Sequence, residues 1–386
     1  MSGSLLDRLA RILDKEERVG LGLLSGTSAD GVDAALVRFR DGERPRLLAY
    51  RSVPMPDAVR SEILSAEDAR LGAIADLHFR LGHLFADAAA EVVSAAGIAP
   101  DFVGTHGQTV FHRSREAGRP AVTLQIGCAA VVAARVGAIT VADFRPADVA
   151  AGGEGAPLVP LLDRAFFGSD GVPRCIVNLG GIANLTALDG RPGGAAVAFD
   201  TGPANMPIDL AVRALTGGKL AFDAEGRFAA AGRVDERALA SLLAHPYLAR
   251  SAPKSTGAQE FGAEFVASFL RSHPGREPAA LVATLTAFSA AALVLGYRRE
   301  VAHRIPAREI VLCGGGVHNP ALVGAIRDRF APIPVVTTAA HGLDPDAKEA
   351  ILFAFLAHET LHGRAGNVPA ATGASREAIL GKIVFP

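Results

Sequence analysis

The sequence has few cysteines and almost no net charge, and each scarcity excludes a class of protein. Its 386 residues include three cysteines, Cys128, Cys175 and Cys313, which are widely spaced and lie in apolar surroundings. This odd, scattered set excludes a disulfide framework and a cysteine-based metal site, and it predicts buried thiols in a reducing compartment. The 39 lysines and arginines and the 40 aspartates and glutamates leave a formal charge of −1. No strong field would therefore draw the chain to nucleic acid or to an anionic membrane.

The chain also lacks the marks of export and of a membrane span. Residues 1–18 mix apolar and charged side chains at helical spacing, which predicts a short amphipathic helix rather than a secretory signal. We identify no run of about eighteen uncharged apolar residues of the kind that crosses a bilayer. We therefore expect a cytoplasmic protein whose partner is a small molecule, with no nucleic acid and no membrane.

What the sequence does have is length, apolar content and glycine. Because 386 residues exceed the size of one hydrophobic core, we expect two domains. The patterns predict strands at 19–24, 33–39, 47–53, 102–106, 138–142, 175–179, 183–188, 196–199, 309–313 and 334–338. They predict helices at 57–66, 71–96, 157–167 and 346–359, and mainly helix over 235–302. The second half repeats the opening order of strand, glycine turn and strand, which indicates a duplicated α/β unit that closes on a nucleotide.

The most informative segment is residues 23–33, in which an apolar strand runs into a turn rich in glycine and hydroxyl groups. Glycine frees the backbone to bring N–H groups onto an anion, and hydroxyls add donors. The residues that can do so are Ser25, Gly26, Thr27, Ser28 and Gly31. The carboxylates of Asp30 and Asp33 indicate a metal-bearing nucleotide or a polar substrate rather than bare phosphate. Ordinary turns use the same residue types, so a simple hairpin is the alternative.

Two further glycine turns follow predicted strands. We expect Asn178, Gly180 and Gly181 to contact the terminal phosphates, with a purely structural hairpin as the alternative. The run Gly314, Gly315 and Gly316 would let a flat ligand such as adenosine lie against the backbone, and Asn319 can cap the helix that follows. Three such turns at strand ends are stronger evidence than one.

Asp200 directly follows an apolar predicted strand. A rigid strand can fix a carboxylate where a hydroxyl or water must be deprotonated, which favours a general base. The alternative is an N-cap or Asx turn for a helix that starts near Pro207. Asp209 faces the same choice, and a cap or surface role fits it better.

Three other segments can contact a substrate. Residues 105–109, Thr-His-Gly-Gln-Thr, form a predicted loop whose donors and acceptors suit sugar hydroxyls, although His106 also fits a structural role. Arg145 either binds a carboxylate or sugar oxygen or pairs with a neighbouring aspartate. Glu349 begins the last helix, where the helix dipole alone favours a carboxylate. Residues 253–257 offer a cation and hydroxyls that can reach phosphate or close a hinge.

Together these motifs resemble the anhydro-N-acetylmuramic acid kinases, sugar kinases of the actin, hexokinase and Hsp70 superfamily. The resemblance runs from about residue 20 past the last helix. Its motifs are Ser-Gly-Thr-Ser-Ala-Asp-Gly-Val-Asp (25–33), Thr-His-Gly-Gln-Thr (105–109), Asp-Phe-Arg (143–145), Gly-Gly-Glu-Gly-Ala-Pro-Leu-Val-Pro (152–160), Asn-Leu-Gly-Gly-Ile-Ala-Asn (178–184), Phe-Asp-Thr-Gly-Pro-Ala-Asn (199–205), Pro-Lys-Ser-Thr-Gly (253–257) and Cys-Gly-Gly-Gly (313–316).

The resemblance implies an α/β, two-domain actin-like ATPase fold, ribonuclease H-like, with nucleotide and sugar in the interdomain cleft. We expect an N-terminal lobe over residues 1–168 that is completed by 344–386, and a second lobe over 169–343. The implied reaction uses Mg²⁺ and ATP to phosphorylate O6 of 1,6-anhydro-N-acetylmuramic acid while water opens the anhydro bridge. The product would be N-acetylmuramic acid 6-phosphate, in recycling of peptidoglycan, and family members are commonly homodimers.

The resemblance also implies roles for single residues. Asp200 would be the base that activates water, and the opening ring oxygen would attack the γ-phosphate. The nucleotide contacts would be Ser25, Gly26, Thr27, Ser28, Ala29, Asp30, Gly31, Asn178, Gly180, Gly181, Gly314, Gly315, Gly316 and Asn319. The sugar contacts would be His106, Thr109, Arg145 and Glu349. The motifs leave the metal ligands undefined.

This chain departs from the family pattern at two places. Pro146 and Ala147 stand where many members carry further arginines, which removes cations that could hold a lactyl carboxylate. Ala204 replaces a glycine near the catalytic aspartate. Levoglucosan kinases share the scaffold, so another anhydrosugar is an alternative substrate. A non-catalytic nucleotide-binding regulator or actin-like scaffold is the alternative from outside enzymology.

Overall fold

In a computed structural model the chain forms two compact units. The structure describes residues 5–115, 119–252 and 254–386. Unit 1 comprises Met1–Leu162 and Ala347–Pro386, and unit 2 comprises Asp163–Asp346. The first four residues of the expected N-terminal helix and Pro253 of the 253–257 motif lie outside the described residues.

Both units contain strands and helices. The strands are β1 Glu17–Ser25, β2 Gly31–Arg40, β3 Arg46–Pro54, β4 Phe102–Arg113, β5 Val122–Ile126, β6 Ile139–Ala142, β7 Arg174–Leu179, β8 Ile182–Leu188, β9 Ala196–Pro203, β10 Glu309–Cys313, β11 Val335–Thr337 and β12 Lys382–Val384. The helices are α1 Leu5–Leu13, α2 Asp57–Leu64, α3 Leu71–Ala96, α4 Ala129–Val136, α5 Phe144–Ala150, α6 Val159–Phe167, α7 Asn205–Leu215, α8 Arg227–Ala231, α9 Glu236–Leu243, α10 Pro246–Ala249, α11 Ala258–Phe261, α12 Ala263–Ser272, α13 Pro278–Glu300, α14 Pro320–Phe330, α15 Lys348–Leu361 and α16 Pro369–Thr372. Short 3₁₀ turns cover Ala66–Asp68, Ala224–Gly226, Gly315–His318 and Thr338–His341.

The two units repeat one strand order. In unit 1 the sheet runs β12-β6-β4-β1-β2-β3, with β5 paired to β4, and in unit 2 it runs β11-β10-β7-β8-β9. In each unit the first three strands are antiparallel neighbours. A further strand, β4 or β10, runs parallel beside the first one, and β6 or β11 runs parallel beside that further strand. This repetition confirms the predicted α/β class and the duplicated unit.

Helix α15 lies directly on the sheet of unit 1 because two paired glycines leave room for it. Gly22 of β1 and Gly104 of β4 are register partners. A Cβ at Gly22 would overlap the carbonyl oxygen of Ala350, and one at Gly104 would overlap that of Phe353. The close approach fixes the first turn of α15, which carries Glu349, beside the central strands.

Helix α13 corrects our expectation that no long uncharged segment exists. Residues 278–297 contain no charged side chain, and only threonines and a serine interrupt their apolar character. By length and composition the helix could cross a membrane, yet 78% of its most apolar window is buried. It packs against α7, α14 and β9 within unit 2. The burial identifies it as a core helix, as expected for a segment surrounded by other elements.

The largest error concerns residues 105–109, which were predicted to form a loop. They lie inside β4, which continues to Arg113 because the unpredicted strand β5 pairs with residues 108–113. Gly107 has a φ of +73°, and the pairing with β1 shifts register beyond Leu23. The segment is thus an irregular strand rather than a loop. The three cysteines are free and buried, as predicted.

Candidate active site

The glycine and hydroxyl turn of unit 1 connects β1 to β2. The N–H of Ala29 donates to the carbonyl of Gly26 at 3.1 Å, and Ala29 itself has a φ of 52° and is fully buried. Thr27 and Ser28 are exposed, whereas Ser25 is buried with a hydroxyl that finds no partner among the described residues. Asp30 forms an ion pair with Arg60 at 3.0 Å. The turn therefore presents free hydroxyls on a fixed backbone.

Gln108 ties β4 to this turn. Its side-chain nitrogen donates to the carbonyl of Gly26 at 3.1 Å and to that of Thr109 at 3.2 Å. Gln125 of β5 donates to the Thr109 hydroxyl at 3.1 Å. The predicted sugar contact Thr109 is thus held beside the predicted phosphate turn, by a glutamine to which the sequence alone assigned no such role.

Arg145 and His106 form the centre of the polar cluster in unit 1. Arg145 Nε donates to His106 Nε2 at 2.9 Å, and its Nη1 donates to the carbonyl of Gly155 at 2.8 Å. Burial, reinforced by the Arg145 charge, holds the pKa of His106 well below its ordinary 6.5. His106 is therefore neutral, with its proton on Nδ1, which faces the Gly107 carbonyl at 3.1 Å.

The second terminal nitrogen of Arg145 has no acceptor in the described parts of the chain. Desolvation lowers the pKa of Arg145 to about 10, although the charges of Glu349 and Asp148 oppose the shift. The guanidinium therefore stays charged at neutral pH. In the described residues the Arg145 guanidinium makes no ion pair with an aspartate. The alternative prediction, that Arg145 merely pairs with a neighbouring aspartate, is therefore wrong.

Glu349 lies in the first turn of α15, accessible to solvent yet recessed among protein atoms. This desolvation raises its pKa, while the positive charges of Arg145 and Lys348 lower it. A cation and a carboxylate thus face the same region of unit 1. The pair suits a polar ligand that offers both hydrogen-bond acceptors and hydroxyl donors.

Asp148 is the fully buried support of this cluster. Its Oδ2 accepts from the N–H of Gly155 at 2.8 Å, and its Oδ1 accepts from Asn367 and from the Thr372 hydroxyl, both at 2.7 Å. These bonds fix the loop whose Gly155 carbonyl orients Arg145. Sequence reasoning missed Asn367 and Thr372 because they lie more than two hundred residues beyond Asp148 and carry no motif of their own.

Asp200 is held inside β9 of unit 2, next to a β-bulge. Strand β9 continues to Pro203 instead of ending before Asp200, because pairing with β8 skips Thr201. Bulges of this kind re-aim side chains beside functional sites. The N–H of Thr256 donates to Asp200 Oδ2 at 3.0 Å, and in the described chain Oδ1 accepts no hydrogen bond. The aspartate caps no helix, since α7 starts after Ala204 without a side-chain cap.

The surroundings of Asp200 raise its basicity. Burial raises its pKa to about 6, against the lowering effects of the Thr256 N–H and the Lys254 charge. Tyr247, which the sequence did not single out, donates to the backbone carbonyl of Asp200 at 2.6 Å. Lys254 lies over the Tyr247 ring at 4.7 Å, and its own carbonyl accepts from the Asp200 N–H at 3.1 Å. Asp200 is therefore a firmly positioned carboxylate with one open oxygen.

The other two glycine turns of unit 2 contact one another. Asn205 donates to the carbonyls of Leu179 and Gly180 at 3.0 and 2.9 Å, which fixes the β7–β8 turn on the start of α7. Gly314 has a φ of +78°, and a Cβ there would overlap the Asn178 side chain, whereas a Cβ at Gly315 would meet no atom. The turn of residues 314–316 thus presents a bare, accessible backbone at Gly315.

Asn319 and Asp209 are placed by α14 and α7. Asn319 Oδ1 accepts from the N–H of Leu322 at 3.1 Å, so the predicted cap of α14 is confirmed. Asp209 neither caps α7 nor lies on the surface, because it is partly buried in the helix interior. That burial raises its pKa to about 7. A cavity of about 420 Å³ between α9, α12 and α13 includes none of the predicted site residues.

Comparison with known proteins identifies the family. Residues 18–386 match the family model described as anhydro-N-acetylmuramic acid kinase. The chain belongs to this family. A relative from Caldanaerobacter subterraneus subsp. tengcongensis with this name is 41% identical, over 98% of this chain and 100% of its own. One from Salinibacter ruber is 42% identical, over 99% and 100%.

A further family member from a Cyanothece species is 42% identical over 94% of this chain and 98% of its own. The predicted family, the α/β class with two compact units and the assignment as a kinase enzyme are confirmed.

Proposed function

We propose that this kinase opens the 1,6-anhydro ring of 1,6-anhydro-N-acetylmuramic acid with water and phosphorylates O6 at the expense of ATP. The product is N-acetylmuramic acid 6-phosphate, and the role is in peptidoglycan recycling. The observation that carries the proposal is Asp200, whose pKa of about 6 and open Oδ1 suit a general base near neutral pH. Asp200 takes a proton from water as that water attacks the anomeric carbon.

Separate sets of residues bind the sugar and the ATP. In unit 1, Arg145, Glu349, Thr109 and His106 bind and orient the sugar, with the free donors of Arg145 on its oxygens. The turn of Ser25 to Gly31, and in unit 2 the turns at Gly180–Gly181 and Gly314–Gly316, bind ATP through backbone N–H groups and hydroxyls. Phosphoryl transfer then depends mainly on alignment and on charge stabilisation.

Mg²⁺ is the proposed cofactor, and the donor set beside the first turn fits it. Asp30 and Asp33 supply carboxylate oxygens, the ligand class that Mg²⁺ prefers. Asp33 accepts a hydrogen bond from the Tyr50 hydroxyl at 2.8 Å on Oδ1, which orients its carboxylate. Held by Asp30 and Asp33 together with the nucleotide, Mg²⁺ would neutralise part of the negative charge of the phosphates.

The test compares three acceptors: 1,6-anhydro-N-acetylmuramic acid, levoglucosan and N-acetylmuramic acid. We expect ADP release to depend on the first, and mass spectrometry in ¹⁸O-water to find one label in the sugar phosphate. Preference for levoglucosan would contradict the proposed substrate, and Pro146 and Ala147 in α5 beside Arg145 give that second candidate its specific support. Turnover without incorporation of ¹⁸O would contradict ring opening by water.

Two further properties belong to the proposal. A cytoplasmic location is supported by the three free, buried thiols. A homodimer is implied by the resemblance to the family, and light scattering at micromolar concentration checks it, since a mass near one chain would contradict it.

A further inference from the structure

A second group of ligand-type side chains lies at the far end of α15. His358 lies nine residues after Glu349, about 14 Å along the helix, and His362 follows one helical turn later as the C-cap. Asp41 belongs to the β2–β3 turn and faces both. One ligand atom from each residue lies within 4.8 Å of the others. The kinase chemistry uses none of these residues.

Each of the two imidazoles has one ring nitrogen, Nε2, that makes no hydrogen bond among the described residues. His358 is only 6% exposed, and the Nε2 atoms of His358 and His362 are buried without a partner among the described residues. Buried polar atoms are normally paired, since an unpaired one keeps the full cost of losing water. Two unpaired nitrogens beside a carboxylate therefore point to a missing partner that accepts lone pairs.

The opposite ring nitrogens have partners of their own, and one of these partners fixes the tautomer of His362. His362 Nδ1 lies 2.7 Å from the carbonyl of His358, and His358 Nδ1 lies 3.1 Å from Glu359 Oε1. A carbonyl only accepts, so His362 Nδ1 carries the proton, whereas His358 Nδ1 lies between the Glu359 carboxylate and the donor Arg364 Nη2, which is 3.2 Å away. Arg364 donates to Glu359 through two bonds of 2.6 and 2.8 Å, which holds that carboxylate in place. Imidazoles that bind metals show this same arrangement of outer partners.

We propose that His358 Nε2, His362 Nε2 and the Asp41 carboxylate bind one divalent transition-metal ion of the zinc class. Two histidines and a carboxylate suit Zn²⁺, with water in the remaining position, whereas Mg²⁺ prefers oxygen ligands. Ligand atoms on one tetrahedral ion lie about 3.4 Å apart, since each bond is about 2.0–2.1 Å, so the three atoms must move closer together than the present 4.8 Å limit. Asp41 is exposed on its turn and can close the small remaining gap.

Arg18 sets the strength of the site. It donates to both oxygens of Asp41, at 2.9 and 3.3 Å, and so competes with the ion for that carboxylate. Each oxygen keeps a further lone pair, so the ion pair weakens binding without blocking it. A cavity of about 280 Å³, lined by Phe39, Asp41 and His358 among others, gives the ion access. Once bound, the ion would join the β2–β3 turn to the end of α15.

The experiment uses untagged full-length protein stripped of metal, and it needs neither ATP nor sugar. Titration calorimetry with Zn²⁺ should give one ion per chain, and a melting curve should show a higher Tm with Zn²⁺. Co²⁺ should give the visible absorption of a tetrahedral nitrogen and oxygen site. An excess of Mg²⁺ should displace neither ion.

Matched variants test the ligands. His362→Gln and Asp41→Asn should lose the stoichiometric binding and the Tm shift, whereas His303→Gln, at an exposed histidine of unit 2, should keep both. Glu359→Gln keeps every ligand, yet it should weaken binding about 10- to 100-fold by removing the outer partner of His358. Wild-type protein that binds no Zn²⁺, or a His362→Gln variant that binds like the wild type, would overturn the proposal. Circular dichroism establishes that each variant folds, and kinase activity plays no part in the outcome.

Discussion

Units 1 and 2 share a strand order but differ in the polar groups that they present near their first strands. Unit 1 holds Arg145 through side chains from distant segments, yet it leaves one terminal nitrogen of Arg145 and the Ser25 hydroxyl without partners among the described residues. Unit 2 offers bare backbone at Gly315 and one carboxylate, Asp200, with an open oxygen. Topology therefore fixes where strand ends gather, while the side chains placed there decide which donors and acceptors each unit presents.

The units also differ in how a long apolar helix reaches the sheet. In unit 1 the space comes from glycines on the strands, because α15 contacts Gly22 and Gly104. In unit 2 it comes from the helix, because a Cβ at Gly296 of α13 would lie 3.1 Å from the Thr201 side chain. The close approach of helix and sheet thus depends on strand glycines in unit 1 and on a helix glycine in unit 2, and substitutions can distinguish the two arrangements.

The largest expected effect is at Asp200. Asp200→Asn should lower kcat about 10²- to 10⁴-fold while nucleotide and sugar binding persist, because a general base contributes about this much. The amide still accepts from Thr256. A coupled assay of ADP release measures the loss. Asp328→Asn, the same change at an exposed site of unit 2, should leave kcat unchanged, and a comparable loss there would contradict the assignment.

The same variant should gain stability. The folded pKa of Asp200, about 6, lies above its ordinary 3.8, so the folded chain binds this proton more tightly than the unfolded chain does. The stability that this group contributes is present at low pH and is lost as the pH rises from about 3.8 through about 6. Asp200→Asn should therefore raise the free energy of unfolding at pH 7 by about 1–2 kcal/mol. Urea unfolding at pH 4 and pH 7 checks it, with the gain confined to pH 7.

Arg145→Lys comes next, and it tests recognition in unit 1. An ammonium cannot reproduce the fork that reaches His106 and Gly155, so about 1.5–3 kcal/mol of charged hydrogen bonding is lost. We expect kcat/KM for the sugar to fall about 10- to 100-fold, while the Kd of the nucleotide stays the same. Equal losses for both ligands would show that Arg145 serves the fold rather than the sugar.

Gly22→Ala should then cost about 1–3 kcal/mol of unfolding free energy, because its methyl group overlaps the Ala350 carbonyl and pushes α15 off the sheet. Denaturant unfolding measures the loss. The KM for the sugar should rise as well, since Glu349 moves with the helix.

The pH dependence sharpens the contrast between the units. Protonation of Asp200 should reduce kcat/KM of the wild type about tenfold per pH unit below about pH 6. Arg145, with a pKa of about 10, stays charged throughout this range, so the charge that it offers to the sugar should not change with pH. A profile that remains flat down to pH 5 would contradict the role of Asp200.

The smallest effect is expected at Gly315, where an added methyl group meets no protein atom. Gly315→Ala should change stability by less than about 0.5 kcal/mol. It should still weaken nucleotide binding about fivefold if adenosine lies on that backbone. Calorimetry with a non-hydrolysable ATP analogue measures the change, and an unaltered Kd would remove Gly315 from the nucleotide contacts.

Local patterns in the sequence sufficed for most of the fold. Helix α3 begins and ends where the apolar stripe predicted, at Leu71 and Ala96, and β10 spans the predicted Glu309–Cys313. Short-range periodicity and turn residues determine such elements because their signals lie within a few neighbouring residues. Strand β5 was missed although its five residues, Val-Thr-Leu-Gln-Ile, alternate apolar and polar side chains, because so short a signal is easily overlooked; its pairing extended β4 beyond the predicted end.

By itself, the sequence determined the motifs, their order along the chain, the duplicated α/β plan and the family. Only the tertiary structure decided that Asn367 and Thr372 support Asp148, that Tyr247 holds the Asp200 backbone, and that Asp41 meets two histidines of α15. Such partners are separated by tens to hundreds of residues. Hydrogen bonding and desolvation act over a few ångströms in space, so the chemistry they produce becomes visible only when the chain is folded.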